Sequence, residues 1–299
     1  VAAAVVVTSA VEVVAVAVVV ILAVAVIVAA SEEEEVAAIV VILEEEEEVE
    51  DICPPGCDQG LFERILDLLK QHPMHAGVQA KGIRAILSLA IHGENDMRGR
   101  YNMATPVIVG AMRVHATDSG VQESAAKALC ALSVPPENKV DIVRKGGLEC
   151  VLAAMARFSV SKPTISRSGR WTGLRRNLSN SRIQSLGARC IANLAVEPAN
   201  HGAIIDSNGI TMLLTAMTSM SDFQAVQESA LRGLANLACI DGHEVPIARA
   251  GGIPVIVSAL RTHLSDRQIQ TVGGRAMCNV ATGMNNIVAV THYGGIAVL

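Results

Sequence analysis

The sequence predicts an all-α fold of the stacked, repeating kind, an α-solenoid, and three observations carry that expectation. A Val-Gln or Ile-Gln dipeptide recurs at Val78, Val121, Ile183, Val226 and Ile269, at intervals of 43, 62, 43 and 43 residues, so one interval is 43 plus an insertion of 19. Further residues keep the same register: ten positions after each start stand Ser88, Ala131, Asn193, Asn236 and Asn279, and seventeen after stand Asn95, Asn138, Asn200, His243 and Asn286. Within a unit the apolar residues recur at helical spacing, not with a period of two. A fixed period of about 20–50 residues marks units that bury their apolar faces only by stacking on their neighbours.

Residues 1–59 stand apart as a Val/Ala/Glu-rich, low-complexity segment, and residues 1–51 hold twelve acidic side chains and no basic one. An apolar run of 18 residues opens at Val13 and closes at Ala30, long enough for a membrane span. Its flanks argue against one, because no Lys or Arg occurs before Arg64 and no aromatic belt borders the run. A secretory signal would start basic and carry a shorter apolar core. Disordered sequence is therefore expected over 1–59, with a single membrane helix as the alternative. From Gly60, "LFERILDLLK" reads as the second half of a further unit.

Each full unit reads as three helices. In the fourth, Val226, Ala230, Leu231, Leu234, Leu237 and Ala238 form one helical stripe, which ends near the breaker pair Asp241-Gly242. A short apolar helix follows, as in "NKVDIVRKGG", opened by the Asn at offset seventeen acting as an N-cap. A Gly pair closes it, at Gly146-Gly147, Gly251-Gly252 and Gly294-Gly295, with Asn208-Gly209 once, because Gly enters the left-handed C-cap conformation freely. The third helix is exemplified by "IPVIVSALRTHL".

A short helix, a Gly-Gly-Ile turn and two longer helices in about 42 residues resemble the armadillo repeat of β-catenin and importin-α. The resemblance covers residues 60–299, with starts at 78, 121, 183, 226 and 269. It implies a right-handed superhelical α-solenoid of armadillo-like three-helix repeats. HEAT repeats are the nearest alternative, but they lack the short first helix that the Asn-to-Gly-Gly segment supplies here.

Composition narrows the function. Beyond residue 51 the chain carries 24 basic against 17 acidic side chains, the reverse of its N-terminal segment. Aromatics make up only 2% of residues, which fits small aliphatic packing between helices better than a small-molecule pocket. Cys130, Cys150, Cys190, Cys239 and Cys278 lie on apolar stripes and read as buried small hydrophobes. Cys53 and Cys57 form a lone C-x-x-x-C pair, which lacks the four ligands that zinc needs. Scattered, unpaired thiols suit a reducing compartment, the cytoplasm or the nucleus. No nucleotide-binding, nucleophile-elbow or H-E-x-x-H motif occurs; of the eight His, His92, His201, His243 and His292 lie at or near unit junctions and His72 and His75 in a turn, and they read as caps or solvated loop residues. A non-enzymatic protein without cofactor or metal is expected.

One feature outside the core repeats in every unit. Six positions after each start stand Arg84, Lys127, Arg189, Arg232 and Arg275, and four positions later come Asn193, Asn236 and Asn279 in the last three units. Residues four apart share a helix face, and this face lies beside the apolar stripe. In armadillo proteins the matching helix lines the concave groove and its Asn side chains hold an extended peptide backbone. The resemblance places Asn193, Asn236 and Asn279 in that role. Importin-α-like motifs carry Trp where this chain has Arg or Lys, and the change removes the pockets for basic signals. Guanidinium groups favour carboxylate or phosphate instead.

The insertion falls within residues 159–182, which hold six basic residues, no acidic one, several Ser and a Pro, the composition of an exposed flexible loop. Trp171 is a candidate anchor there, and "RRNLS" sets Ser179 three residues after Arg176 and four after Arg175, a spacing that basophilic kinases accept. A phosphate would partly cancel the loop's charge.

The expected function is a protein-interaction scaffold that binds an extended acidic or phosphorylated segment of another protein along the Arg/Asn face. The alternatives are the targeting or regulatory arm of a larger multidomain chain, such as a kinase or ubiquitin ligase, and a nuclear-transport or nucleic-acid-binding adaptor. The missing Trp ladder weakens transport, and the modest basic surplus without interleaved aromatics for stacking weakens nucleic acid. The Glu runs at 32–35 and 44–48 have the sign to occupy the basic face in place of a partner.

Overall fold

The structure, a computed structural model, describes residues 59–92, 101–159, 164–165, 171–172 and 174–297. The low-complexity segment, with the Val13 to Ala30 run and both Glu runs, lies outside the described residues. Among the described residues the fold is helical apart from a two-residue antiparallel pairing of β1 (Thr164–Ile165) with β2 (Trp171–Thr172). The helices are α1 (Gln59–Gln71), α2 (Ala76–His92), α3 (Tyr101–Val114), α4 (Ser119–Leu132), α5 (Pro136–Arg144), α6 (Gly147–Arg157), α7 (Leu174–Leu194), α8 (His201–Asp206), α9 (Gly209–Ser219), α10 (Gln224–Leu237), α11 (Glu244–Arg249), α12 (Gly252–Thr262), α13 (Arg267–Val280) and α14 (Met284–His292). None of them is long and apolar enough to cross a membrane.

The repeat starts lie in α2, α4, α7, α10 and α13, and these five helices make one row in which each packs on the next. Helices α1, α3, α6, α9 and α12 make a second row, each packed on the front-row helix that follows it and on its own counterparts. The short helices α5, α8 and α11 pack on α6, α9 and α12. The stripe read in α10 is buried throughout, from Val226 to Ala238, and belongs to one apolar cluster running from Phe62 to Val290.

The repeated Gln explains why the dipeptide recurs. A helix leaves its last carbonyls without intrahelical partners. In all five units the Gln amide Nε2 donates to one such carbonyl in the last turn of the second-row helix before it and to a second carbonyl just past that helix's end. Gln79 reaches Leu69 O and His72 O at 2.7 and 2.9 Å, Gln122 reaches Met112 O and His115 O at 2.8 and 3.0 Å, and Gln227 reaches Met217 O and Met220 O at 2.8 and 2.9 Å. Gln270 does the same with Leu260 O and His263 O, both at 2.9 Å. Gln184 makes the joint across the insertion, to Met155 O and Phe158 O at 2.6 and 3.2 Å. The extra residues leave the chain after the joint's first half and return before its second, so the insertion does not disturb it.

Two expectations about the short helix need separating. The residue at offset seventeen stands at the N-cap position in two units, Asn200 of α8 and His243 of α11, but in no unit does its side chain make the cap bond. Asn138 sits inside α5, whose N-cap is Pro135, and Asn200 precedes α8 without a side-chain cap bond. Their Nδ2 groups turn back to the end of the front-row helix, Asn138 to Leu132 O at 3.1 Å, Asn200 to Leu194 O at 3.1 Å and Asn286 to Val280 O at 2.9 Å. Buried carbonyls without partners attract the amide more strongly than amides that water can reach. The Gly pair has two distinct causes. Its first member is left-handed, and Asn208 fills that place at φ 61°, a conformation that Asn tolerates. Its second member meets a wall: a Cβ on Gly209 would lie 2.6 Å from Ile204 Cγ2 and 2.7 Å from Ile204 O. Hence the first position varies and the second does not.

Candidate partner-binding face

The front row carries the basic ladder. Arg84, Lys127, Arg189 and Arg275 are exposed on α2, α4, α7 and α13, and Arg232 is half-buried on α10. Two rungs reach between helices. Arg189 Nε donates to Cys130 Sγ on α4 at 3.0 Å, and Arg275 Nη2 donates to Asn236 Oδ1 on α10 at 3.1 Å. Arg84 Nε reaches Ala80 O of its own helix at 3.4 Å, and Arg232 pairs with Glu228 one turn back. Arg189 and Arg275 therefore lie over the helix of the unit before, whereas Arg84 and Arg232 are held on their own helices.

The three ladder Asn share one geometry that sequence reasoning did not find. Asn193 Nδ2 donates to Cys130 O and Ser133 Oγ, both at 3.1 Å; Asn236 Nδ2 donates to Ala192 O at 3.0 Å; and Asn279 Nδ2 donates to Ala235 O at 2.9 Å. Each amide thus staples its own front-row helix to a carbonyl of the preceding one. The signal was in the sequence: Asn recurs beside a buried stripe where a purely solvated face would vary.

The insertion departs from expectation. Helix α7 begins at Leu174, so residues 174–182 are helical where a flexible loop was read, and Trp171 lies in β2. Arg175, Arg176 and Ser179 lie on α7, although the stretch's Ser, Asn and Arg content shows no apolar stripe. Ser179 is half-buried, and its Oγ donates to Glu123 Oε2 at 3.1 Å. Arg182 Nη1 donates to Oε1 of the same carboxylate at 3.2 Å.

Cys130, Cys150 and Cys190 are buried as read, but Cys239 and Cys278 are exposed. Cys278 shares the offset of Cys130, yet among the described residues no further front-row helix lies beyond α13 to cover it as α7 covers α4. Burial pushes the Cys130 thiol pKa up, with the Arg189 hydrogen bond and charge acting the other way. Burial also raises Cys190, further raised by neighbouring Cys130. The His reading also needs correction. His201 is only 1% exposed; its Nε2 bonds Ala195 O at 2.8 Å and its Nδ1 lies 3.1 Å from His243 Nδ1. A carbonyl oxygen only accepts, so His201 Nε2 carries a hydrogen in that bond, and the two Nδ1 atoms share one more between the rings. His115 and His263 bond Pro73 O and Ser221 O at 2.8 and 2.7 Å, joining second-row turns. Among the described residues no group of three or more His, Cys, Asp or Glu gathers as metal ligands.

Solved structures share this arrangement. A crystal structure of an engineered protein from the Northeast Structural Genomics Consortium matches with a TM-score of 0.62 at 29% identity, over 79% of this chain and 86% of that one. A second engineered protein from the same consortium matches with a TM-score of 0.64 at 24% identity, over 79% of this chain and 88% of that one. No protein-family model and no curated protein matches the sequence.

Proposed function

We propose that the chain is a right-handed superhelical solenoid of armadillo-like units and acts as a protein-interaction scaffold without catalytic activity. Its ligand is an extended acidic or phosphorylated segment of another protein, laid along the front row. The observation that carries this reading is the shared offset of the ladder: a basic side chain stands at the same place on all five row helices, four of them exposed, and Arg189 and Arg275 each reach onto the preceding row helix.

The hydrogen bonds support a division of labour within the face. The Asn amides already bond the preceding helix, which assigns them to fixing the row's geometry. Recognition then falls to the guanidinium and ammonium groups, which bind carboxylate or phosphate by charge-assisted hydrogen bonds. Binding of this kind weakens with salt, because the charges are exposed.

The test is a titration of a fluorescent poly-glutamate or phosphoserine-containing peptide into the wild type and into Arg189→Glu with Arg232→Glu. The wild type should bind, with affinity falling as salt rises, and the reversed protein should bind at least tenfold more weakly. Equal affinity and equal salt dependence would remove the ladder from the account.

A further inference from the structure

The ladder leaves one motif of the insertion without a role. Four of the five front-row helices begin two residues before the repeat start, whereas α7 begins at Leu174, nine residues before Ile183. Its first two turns have no counterpart in the other units. Among their side chains, Ser179 Oγ and Arg182 Nη1 both donate to the Glu123 carboxylate on α4, one to each oxygen, and Asn180 Nδ2 donates to Ser159 O at 3.1 Å. The equivalent carboxylate in the fourth unit, Glu228, is held otherwise, by Arg232 of its own helix and by Gln268 at 3.4 Å. The clasp built on Ser179 belongs to the insertion alone.

We propose that Ser179 is a phosphoacceptor for a basophilic Ser/Thr protein kinase, and that its phosphorylation releases the start of α7 from α4. Arg175 and Arg176 precede the hydroxyl by four and three residues, the cationic approach such kinases read. In the transfer, Ser179 Oγ bonds the γ-phosphorus of a nucleoside triphosphate as the bond to the β–γ bridging oxygen breaks. The nucleoside diphosphate leaves, and the hydroxyl proton passes to the kinase's base. A kinase takes its substrate extended, so the first turns of α7 must open. They are suited to this, because short polar contacts hold a helix end less firmly than the buried stripe holds the rest.

The modified group cannot re-form the clasp. It has lost the donor hydrogen and carries about −1.5 to −2 charges with three acceptor oxygens, facing a carboxylate. Arg182, three residues further along the helix, is drawn to the phosphate and away from Glu123. Glu123 then keeps neither of its donors from α7, and the open form persists.

The full chain incubated with a purified basophilic kinase and ATP tests this, with phosphate located by tandem mass spectrometry and opening followed by hydrogen exchange. Phosphate is expected on Ser179, with at least a tenfold lower rate in Arg175→Ala with Arg176→Ala. Glu123→Gln, which weakens the clasp, should speed the modification severalfold. Phosphorylation should raise exchange over residues 174–182 and leave residues 183–194 unchanged. Absence of phosphate on Ser179, a rate indifferent to the arginine pair, or unchanged exchange over 174–182 in the phosphorylated protein would each overturn the proposal.

Discussion

Replacing Gln227 with Ala tests the joint that makes the dipeptide recur. The side chain is 1% exposed and its amide holds Met217 O at 2.8 Å and Met220 O at 2.9 Å. A typical hydrogen bond nets about 0.5–1.5 kcal/mol, and a buried acceptor left without a partner costs about 1–3 kcal/mol. With Met217 O stranded, Met220 O left to the Phe223 N–H alone, and water able to enter the space and recover part of the loss, Gln227→Ala should destabilise by about 1–3 kcal/mol. Gln227→Glu keeps the shape but removes both donors and sets an oxygen against two carbonyl oxygens. Burial and those oxygens raise the new carboxyl's folded-state pKa above the unfolded value of about 4.3. The sign follows: the folded protein binds the extra proton, so the Glu variant is least impaired below that value and loses stability as pH rises to 7. Urea unfolding by circular dichroism at pH 5 and 7 measures the deficit, and hydrogen exchange over residues 209–237 locates it, which matters because repeat arrays need not unfold in one step. An Ala variant within about 0.5 kcal/mol of wild type, or a Glu variant whose deficit does not change with pH, would refute the reasoning.

Three further outcomes are expected. Gly209→Ala should destabilise by more than about 2 kcal/mol, because its methyl would sit 2.6 Å from Ile204 Cγ2 against a fixed carbonyl, whereas Asn208→Gly should lie within about 1 kcal/mol of wild type; thermal unfolding compares them. Asn236→Ala removes the bond to Ala192 O and the acceptor of Arg275, so it should cost about 1–2 kcal/mol and raise exchange at the end of α7, while weakening acidic-peptide binding less than Arg232→Glu does in a parallel titration. Deleting residues 1–51 removes twelve acidic side chains and should tighten binding of an acidic peptide in fluorescence anisotropy; unchanged affinity would dispose of competition by the Glu runs.

The helices were legible because each buries a stripe at helical spacing, and five registers agreeing on one offset leave little freedom in placing them. The basic ladder was legible for the same reason, since a shared offset on stacked helices becomes a shared surface. What escaped were bonds between residues distant in sequence. Nothing local says that Gln184 reaches Met155 and Phe158 across 29 and 26 residues, or that Asn236 binds a carbonyl 44 residues away. Asn138 was misread because an amide beside a helix start suits an N-cap equally well, and only the packing shows a closer carbonyl behind it. Cys130 and Cys278 share an offset and differ in burial, because burial depends on the helix laid over them. The start of α7 was missed since its turns are held by polar contacts to Glu123 and Ser159, which leave no apolar pattern.

The central claim is that the position of the front-row cations, and not the charge of the molecule, binds the partner. Titrating one acidic peptide into three proteins decides it: the wild type, Arg189→Glu with Arg232→Glu, and Arg157→Glu with Arg249→Glu. The last pair is exposed at the ends of α6 and α11, off the ladder, and changes net charge equally. The account predicts at least a tenfold loss for the ladder pair and less than a twofold loss for the control pair. Equal losses in both would contradict it.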